Sequence, residues 1–326
     1  MCIVRPPGHH AGVNGLLDGG ESCGFCIFNN VAAGALHAIS DERLLCERCA
    51  IVDIDVHHGN GTEEIVRKCH DPGKLFFFSI HLYDNDKKKS KNNSFQYKFY
   101  PGTGAEDDVA FNIINVAITP LWKEASNEKP VNTHNTRQKT RQKVAHSDSM
   151  DDSSDLGTPR DSKDNGRFSD ADSDTGSSTK GAVKSPPAAS ASASSPSSAT
   201  SGRFAYRQAI QNRLLPALRA FNPDLILISA GFDAARLDVG NARHERGGER
   251  MGLDLEPEDY AWTTRKVLEI ADICCQGRVV SVLEGGYGRS TPGGSMELDR
   301  SNLAECAVRH LHAMVDPYDC EGRFGS

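Results

Sequence analysis

The chain has no run of about 18 consecutive apolar residues, so it offers no candidate for a membrane-spanning helix. Its opening residues, MCIVRPPGHH, lack the apolar core of a secretory signal. Basic charge is not in excess: 37 Lys and Arg stand against 44 Asp and Glu, a formal net charge of −7. Such a surface has no general basic field, which argues against direct nucleic-acid binding by the whole molecule. Aromatic residues are scarce at 7%, and hydrophobic residues reach only 38%. A mean hydropathy of −0.48 is low for a packed enzyme. Some polar segment must therefore dilute the average. The ten Cys are scattered through a chain too long for a disulfide-stapled scaffold. Reduced thiols in a nuclear or cytosolic compartment are expected.

The diluting segment runs over 123–203. It joins KPVNTHNTRQKTRQKVAH to an acidic Ser/Asp stretch and then to SPPAASASASSPSSATS. It has almost no large apolar residues and no helical or strand period. Its burial cannot offset its ordering entropy, so a disordered low-complexity insertion is expected. The basic run Arg137 to Lys143 reads as a solvated charge run, with a localisation or docking signal as the alternative.

Two blocks remain, 1–122 and 204–326. Short apolar runs predict strands over Ala50–Ile54, Leu75–Ile80, Ile113–Ile118, Leu225–Ser229 and Val279–Leu283. Helical patterns fall at Asn29–Ile39, Glu63–Lys68, Tyr206–Ala220 and Pro257–Ile273. Strands alternating with helices predict an α/β fold with a mostly parallel sheet. Runs such as LILIS and VVSVL are apolar throughout, as expected when helices cover both faces. The blocks are read as halves of one domain.

Polar clusters follow four of the apolar runs: RPPGHHAG, DVHHGNG, FDAARLD and EGGYG. In open parallel sheets ligands bind beyond the carboxyl ends of the strands. The loops would bring His9, His10, Asp55, His57, Asp233 and Tyr287 together there. Side chains alternate along a strand, so Asp53, Asp55 and His57 would share one face. Two buried carboxylates side by side call for a cation. Two Asp and one His suit zinc with one position left open; a hydrogen-bonded polar turn is the alternative. Cys23, Cys26, Cys46 and Cys49 also show the C-x2-C-x19-C-x2-C spacing of a structural zinc site. The residues between them read as an apolar helix of the main domain, so buried free thiols are the default.

At RPPGHHA, GFCIFNN, DIDVHHGNGT, SIHLYD, FYPGTG, NPDLILISAGFDAA and LEGGYG, the sequence resembles the zinc-dependent histone deacetylase family. The likeness is to class II-like members, within the arginase–deacetylase fold. The resemblance implies that Asp55, His57 and Asp233 bind Zn2+. His10 would be the general base, His9 its electrostatic neighbour, and Asp53 the carboxylate orienting His9. Asn60 matches the residue facing the second His. Tyr287 would donate to the oxyanion. Gly24, Phe25 and Tyr100 would line the acyl-lysine tunnel, with Tyr100 standing where the family usually has Phe. Gly285 and Gly286 belong to the same substrate-side word. A monovalent cation (K+) near Asp53, Ser79 and the Asp55 backbone is a further family feature. The implied activity is hydrolysis of acetyl-lysine on a histone or another protein, in the nucleus or cytoplasm, within a corepressor-type complex. Two alternatives stay open: an amidohydrolase of small acetylated amines or polyamines, and a non-catalytic scaffold. Family domains carry well over a hundred residues before the RPPGHH word. The expectation is therefore a truncated domain lacking a first strand and a rim carboxylate, poorly expressed and nearly inactive alone.

Overall fold

Five apolar runs build one parallel sheet. They are β1 (Cys49–Asp53), β2 (Leu75–Leu82), β3 (Ile113–Ile118), β4 (Leu225–Ala230) and β7 (Val279–Leu283), in the order β3-β2-β1-β4-β7. Each matches an expected strand to within two residues at either end. The computed structural model describes residues 1–15, 23–84, 99–123, 202–245, 248–291 and 297–318. Most of the polar segment, including the basic run at 137–143, lies outside the described residues.

The strands are apolar on both sides because both faces are covered. Ala50, Val52, Phe76, Phe78, Ile226 and Ile228 face one core. Cys49, Ile51, Leu75, Phe77, Ile113 and Leu227 face the other. Helices α1 (Asn30–Ser40) and α2 (Asn60–Arg67) close the second core through Val31, Ala35 and Val66. On the first lie α3 (Gly202–Ala209), a π-helical turn (Ile210–Leu214), α4 (Leu215–Phe221) and α5 (Pro257–Cys275). They supply Tyr206, Ile210, Leu214, Leu218, Tyr260 and Val267. A fully buried Phe such as Phe77 contributes about 1.5–3 kcal/mol by burial. Gly202 and Arg203, at the edge of the polar segment by composition, open α3. Arg203 and Arg207 both pair with buried Asp259 at 2.6 Å.

Among the described residues, one α-helix and two strand pairs have no counterpart among the expected elements. They are α6 (Ser301–Val315) and the short hairpins β5–β6 (Ala242–Glu245, Gly248–Met251) and β8–β9 (Arg289–Ser290, Leu298–Asp299). Among the described residues no helix is long and apolar enough to cross a membrane.

Strand order reverses at β1. From there β2 and β3 build outward on one side, and β4 and β7 on the other. A crevice therefore opens between the carboxyl ends of β1 and β4, where such sheets place their ligands. Register puts Asp53 opposite both Ser79 and Ser229 at that end.

Candidate metal centre and active site

The strand β1 ends at Asp53, so Asp55 and His57 lie in the loop beyond it rather than on a strand face. Their convergence comes from two successive side-chain turns. The Asp55 N–H donates to Asp53 Oδ1 at 3.1 Å, and the His57 N–H donates to Asp55 Oδ1 at 2.8 Å. Asp233 arrives from the loop after β4. Its Oδ1 accepts the Val56 N–H at 3.0 Å, which ties the two loops together.

His57 Nδ1 lies 3.1 Å from Asp55 Oδ1 and 3.1 Å from Asp233 Oδ2. All three donor atoms fall within 4.8 Å of one another. Two buried carboxylates thus crowd one imidazole nitrogen that can offer only one hydrogen. Burial and the Asp55 charge hold Asp233 above the usual carboxylate range. Burial works against a charged His57, yet bonds to Asp233 and Asp55 take it up to about 9. A cation beside this nitrogen would relieve both carboxylates. One imidazole and two carboxylates make a mixed nitrogen and oxygen set, and zinc fits it.

Above this triad sit His9 and His10. His9 Nδ1 is 2.9 Å from Asp53 Oδ2 and its Nε2 is 3.8 Å from Asp55 Oδ1. Burial opposes its charge, but Asp55 and Asp53 raise it well above the ordinary imidazole value. His10 Nδ1 is 2.7 Å from Asn60 Oδ1. Burial, and then the charge of His9, hold His10 well below the ordinary value. Burial also takes Asp53 up to about 6, against the pull of His9.

A cavity of about 490 Å³ is lined by His10, Gly24, Phe25, His57, Tyr100, Val239, Gly240, Tyr287 and Leu298. Tyr100 meets His10 edge-on at 4.8 Å between ring centres, and Phe25 meets Tyr287 at 6.2 Å. Phe25 is 74% exposed, so it forms the rim. Gly24 has φ +52°, and a Cβ there would lie 2.9 Å from Tyr100 Cε1 and overlap the His10 ring. Burial, with the charges of Asp233 and Asp55, pushes the Tyr287 phenol up, so it stays a donor. Its hydroxyl has no hydrogen-bond partner among the described residues.

Gly285 and Gly286 are not lining residues of this cavity. The Gly285 N–H donates to Asp55 Oδ2 at 2.8 Å, so it supports a carboxylate of the triad. Gly286 packs toward Leu303 and Phe232. Ser79 Oγ lies 2.9 Å from His81 Nδ1, beside its register partner Asp53. His58 Nε2 reaches Glu63 at 2.8 Å and its Nδ1 reaches Thr103 at 2.8 Å, a buried structural network. Among the cysteines, Cys26 and Cys49 are buried thiols, and burial takes Cys26 up to about 12. The four cysteines of the zinc-like spacing do not form a group within ligating distance among the described residues.

Three polar residues escaped the reading of the sequence. Glu284, fully buried, accepts the Gly8 and His9 N–H groups at 2.7 and 3.1 Å and the Ser229 hydroxyl at 2.8 Å. Asn29 donates to the Ala11 carbonyl and to Thr62, tying the GFCIFNN word to the His9–His10 loop and α2. Asp238 accepts N–H groups from the Tyr287 loop.

A parallel sheet with this donor set at its switch point has the arginase–deacetylase architecture. A crystal structure of an HDA15 HD domain matches it with a TM-score of 0.53 at 24% identity, over 97% of this chain and 55% of that one. Residues 1–298 match the family described as histone deacetylase domain, and the chain belongs to the histone deacetylase family. Type-2 histone deacetylase 1 of Dictyostelium discoideum is 38% identical over 97% of this chain and 18% of its own length. Histone deacetylase 6 of Caenorhabditis elegans is 30% identical over 97% of this chain and 21% of its own. An uncharacterized protein of Synechocystis, slr0245, is 29% identical over 88% of this chain and 56% of its own. These relatives include class II-type histone deacetylases, and the chain spans about a fifth of the length of the first two.

Proposed function

We propose that the chain carries the catalytic centre of a zinc-dependent protein lysine deacetylase. One observation carries the reading. Asp55, His57 and Asp233 gather beside a cavity walled by His10, Gly24, Phe25, Tyr100 and Tyr287.

Asp55 and Asp233 would hold the metal through carboxylate oxygens and His57 through Nδ1. When bound, zinc polarises an amide carbonyl and lowers the pKa of a water to about 7. With Asn60 Oδ1 accepting from Nδ1, His10 keeps Nε2 free as a base. Its depressed basicity keeps it neutral and ready to take a proton from the attacking water. It then returns that proton to the departing lysine amine. His9, whose charged form Asp55 and Asp53 favour, would add positive charge to the site, and Tyr287 would donate its O–H to the developing oxyanion. Phe25 and Tyr100 suit the apolar stem of lysine and disfavour a charged ammonium, which would lose its hydration there. Under this reading the substrate is an acetylated histone or another acetyl-lysine protein. The setting is the nucleus or cytoplasm, within a corepressor-type complex.

The test assays the full-length, zinc-loaded protein on an acetyl-lysine peptide and on an N-acetylated polyamine in parallel. Peptide hydrolysis, lost on chelation and reduced at least about 100-fold by His10→Ala, is expected. Turnover of the polyamine alone moves the reading to a small-amine amidohydrolase. A folded, zinc-loaded protein inert on both is a scaffold.

A further inference from the structure

Asp238 has no part in the chemistry above. It lies five residues past Asp233 in the loop after β4 and is 1% exposed. A buried carboxylate is costly unless its oxygens are satisfied. Here backbone N–H groups satisfy both. Oδ1 accepts from Gly240 at 2.8 Å, a local turn of a common kind. Oδ2 does something a local turn does not require. It reaches 49 and 50 positions along the chain to accept from Tyr287 at 3.0 Å and Gly288 at 2.7 Å.

Those two amides bracket the Tyr287 α-carbon. Holding both fixes where that carbon sits and the direction in which its side chain leaves. The Val239 N–H adds a bond to the Gly288 carbonyl at 2.9 Å, so the two loops are joined at three points. The ring is then seated from its sides. Gly240 approaches so closely that a Cβ there would lie 2.9 Å from the ring. Phe25 meets it edge-on, and the Arg5 guanidinium lies 5.8 Å from its centre. None of these neighbours holds the hydroxyl, so its placement depends on the backbone.

We propose that Asp238 is the positioning residue for Tyr287, clamping the two peptide groups that aim the phenol at the reacting oxygen. The proposal rests on the deacetylase reading and adds a residue to it. Asn at 238 keeps the size but turns one acceptor into a donor facing an N–H.

The test uses the full chain loaded with zinc. Hydrogen exchange should show the Tyr287 and Gly288 amides protected in the wild type and about tenfold or more faster in Asp238→Asn, with distant amides unchanged. In turnover, Asp238→Asn should lower kcat about tenfold or more with KM within about twofold, since small displacements of a reacting group cost up to about 100-fold. Zinc stoichiometry should not change. In a Tyr287→Phe background the same substitution should change kcat less than about twofold, because the group being aimed is gone. Unprotected Tyr287 and Gly288 amides in the wild type, or equal effects of Asp238→Asn in both backgrounds, would overturn the proposal. An inactive wild type with protected amides overturns the deacetylase reading and leaves the clamp intact. If Asp238→Asn does not fold, the wild-type exchange measurement decides.

Discussion

His9 and His10 are chain neighbours with ring centres 4.1 Å apart, yet they rest on opposite kinds of partner. His9 is hydrogen-bonded to the carboxylate of Asp53, and His10 to the neutral amide of Asn60. The charges of Asp55 and Asp53 push His9 up, whereas burial and the neighbouring His9 push His10 down, and the neutral Asn60 amide adds no carboxylate charge to offset them.

Asn60 is therefore a control point for pH dependence. Asn60→Asp places a negative charge on His10 and raises its pKa by about 1–3 units. A base must be neutral to act, so the acidic limb of the kcat/KM profile should move to higher pH by a similar amount. An unmoved limb in the variant would remove His10 from the role of base.

Zinc should stabilise this protein as well as activate it. Without a metal ion, Asp55 and Asp233 share the single His57 Nδ1 between them, and Asp55 also faces His9. Zinc at about 1,000 times its dissociation constant would contribute about 4 kcal/mol. Chelation should lower Tm by several degrees. Asp233→Asn should abolish both the zinc content by elemental analysis and the zinc-dependent Tm gain. Equal Tm with and without zinc in the wild type would show that the triad does not bind it.

Gly285 tolerates no side chain. A Cβ there would overlap Asp233 Oδ2 and lie 2.5 Å from Asp55 Oδ2, two oxygens of the proposed metal set. Gly285→Ala should weaken zinc at least about tenfold, as loss of a ligand's outer support does. Competition against a metal indicator reads this directly, and wild-type affinity in the variant would contradict the geometry.

His310 makes acid stability measurable away from the site. It bridges Thr264 Oγ1 at 2.6 Å and Ser281 Oγ at 2.8 Å inside the core, and burial lowers it from the ordinary imidazole value to about 4. Its folded-state pKa lies below the unfolded one. Its contribution is complete above about pH 6.5 and is lost as pH falls towards 4, a swing of a few kcal/mol. Unfolding free energy from denaturant titrations should thus fall less steeply between pH 6.5 and 4 in His310→Gln than in the wild type. Parallel curves would exclude the linkage.

The sheet was legible because buried parallel strands are written as unbroken apolar runs, and Leu225–Ala230 and Val279–Leu283 show this plainly. The helix α6 was not: its inward face, at Cys306, His310 and Ala313, carries a histidine and small residues rather than a run of large apolar ones. It buries little else. The triad residues could be named, but the strand-face argument for them stops at Asp53, where side-chain turns take over. Asp238 and Glu284 lie in the FDAARLD and EGGYG clusters, but their roles were unreadable because a carboxylate that binds distant backbone amides has no periodicity and no partner residue type to signal it. Their partners are peptide groups, which every residue carries.

The tie between Val56 and Asp233 spans 177 positions of the chain. Contacts of such separation form late and slowly, after loop-closure entropy has been overcome. The half made by β1, β2 and β3 holds two of the three residues of the proposed metal set, and the third arrives only when β4 docks in register beside β1. If the triad takes zinc as proposed, the appearance of tight zinc binding during refolding should time the docking of the two halves, not the formation of either one.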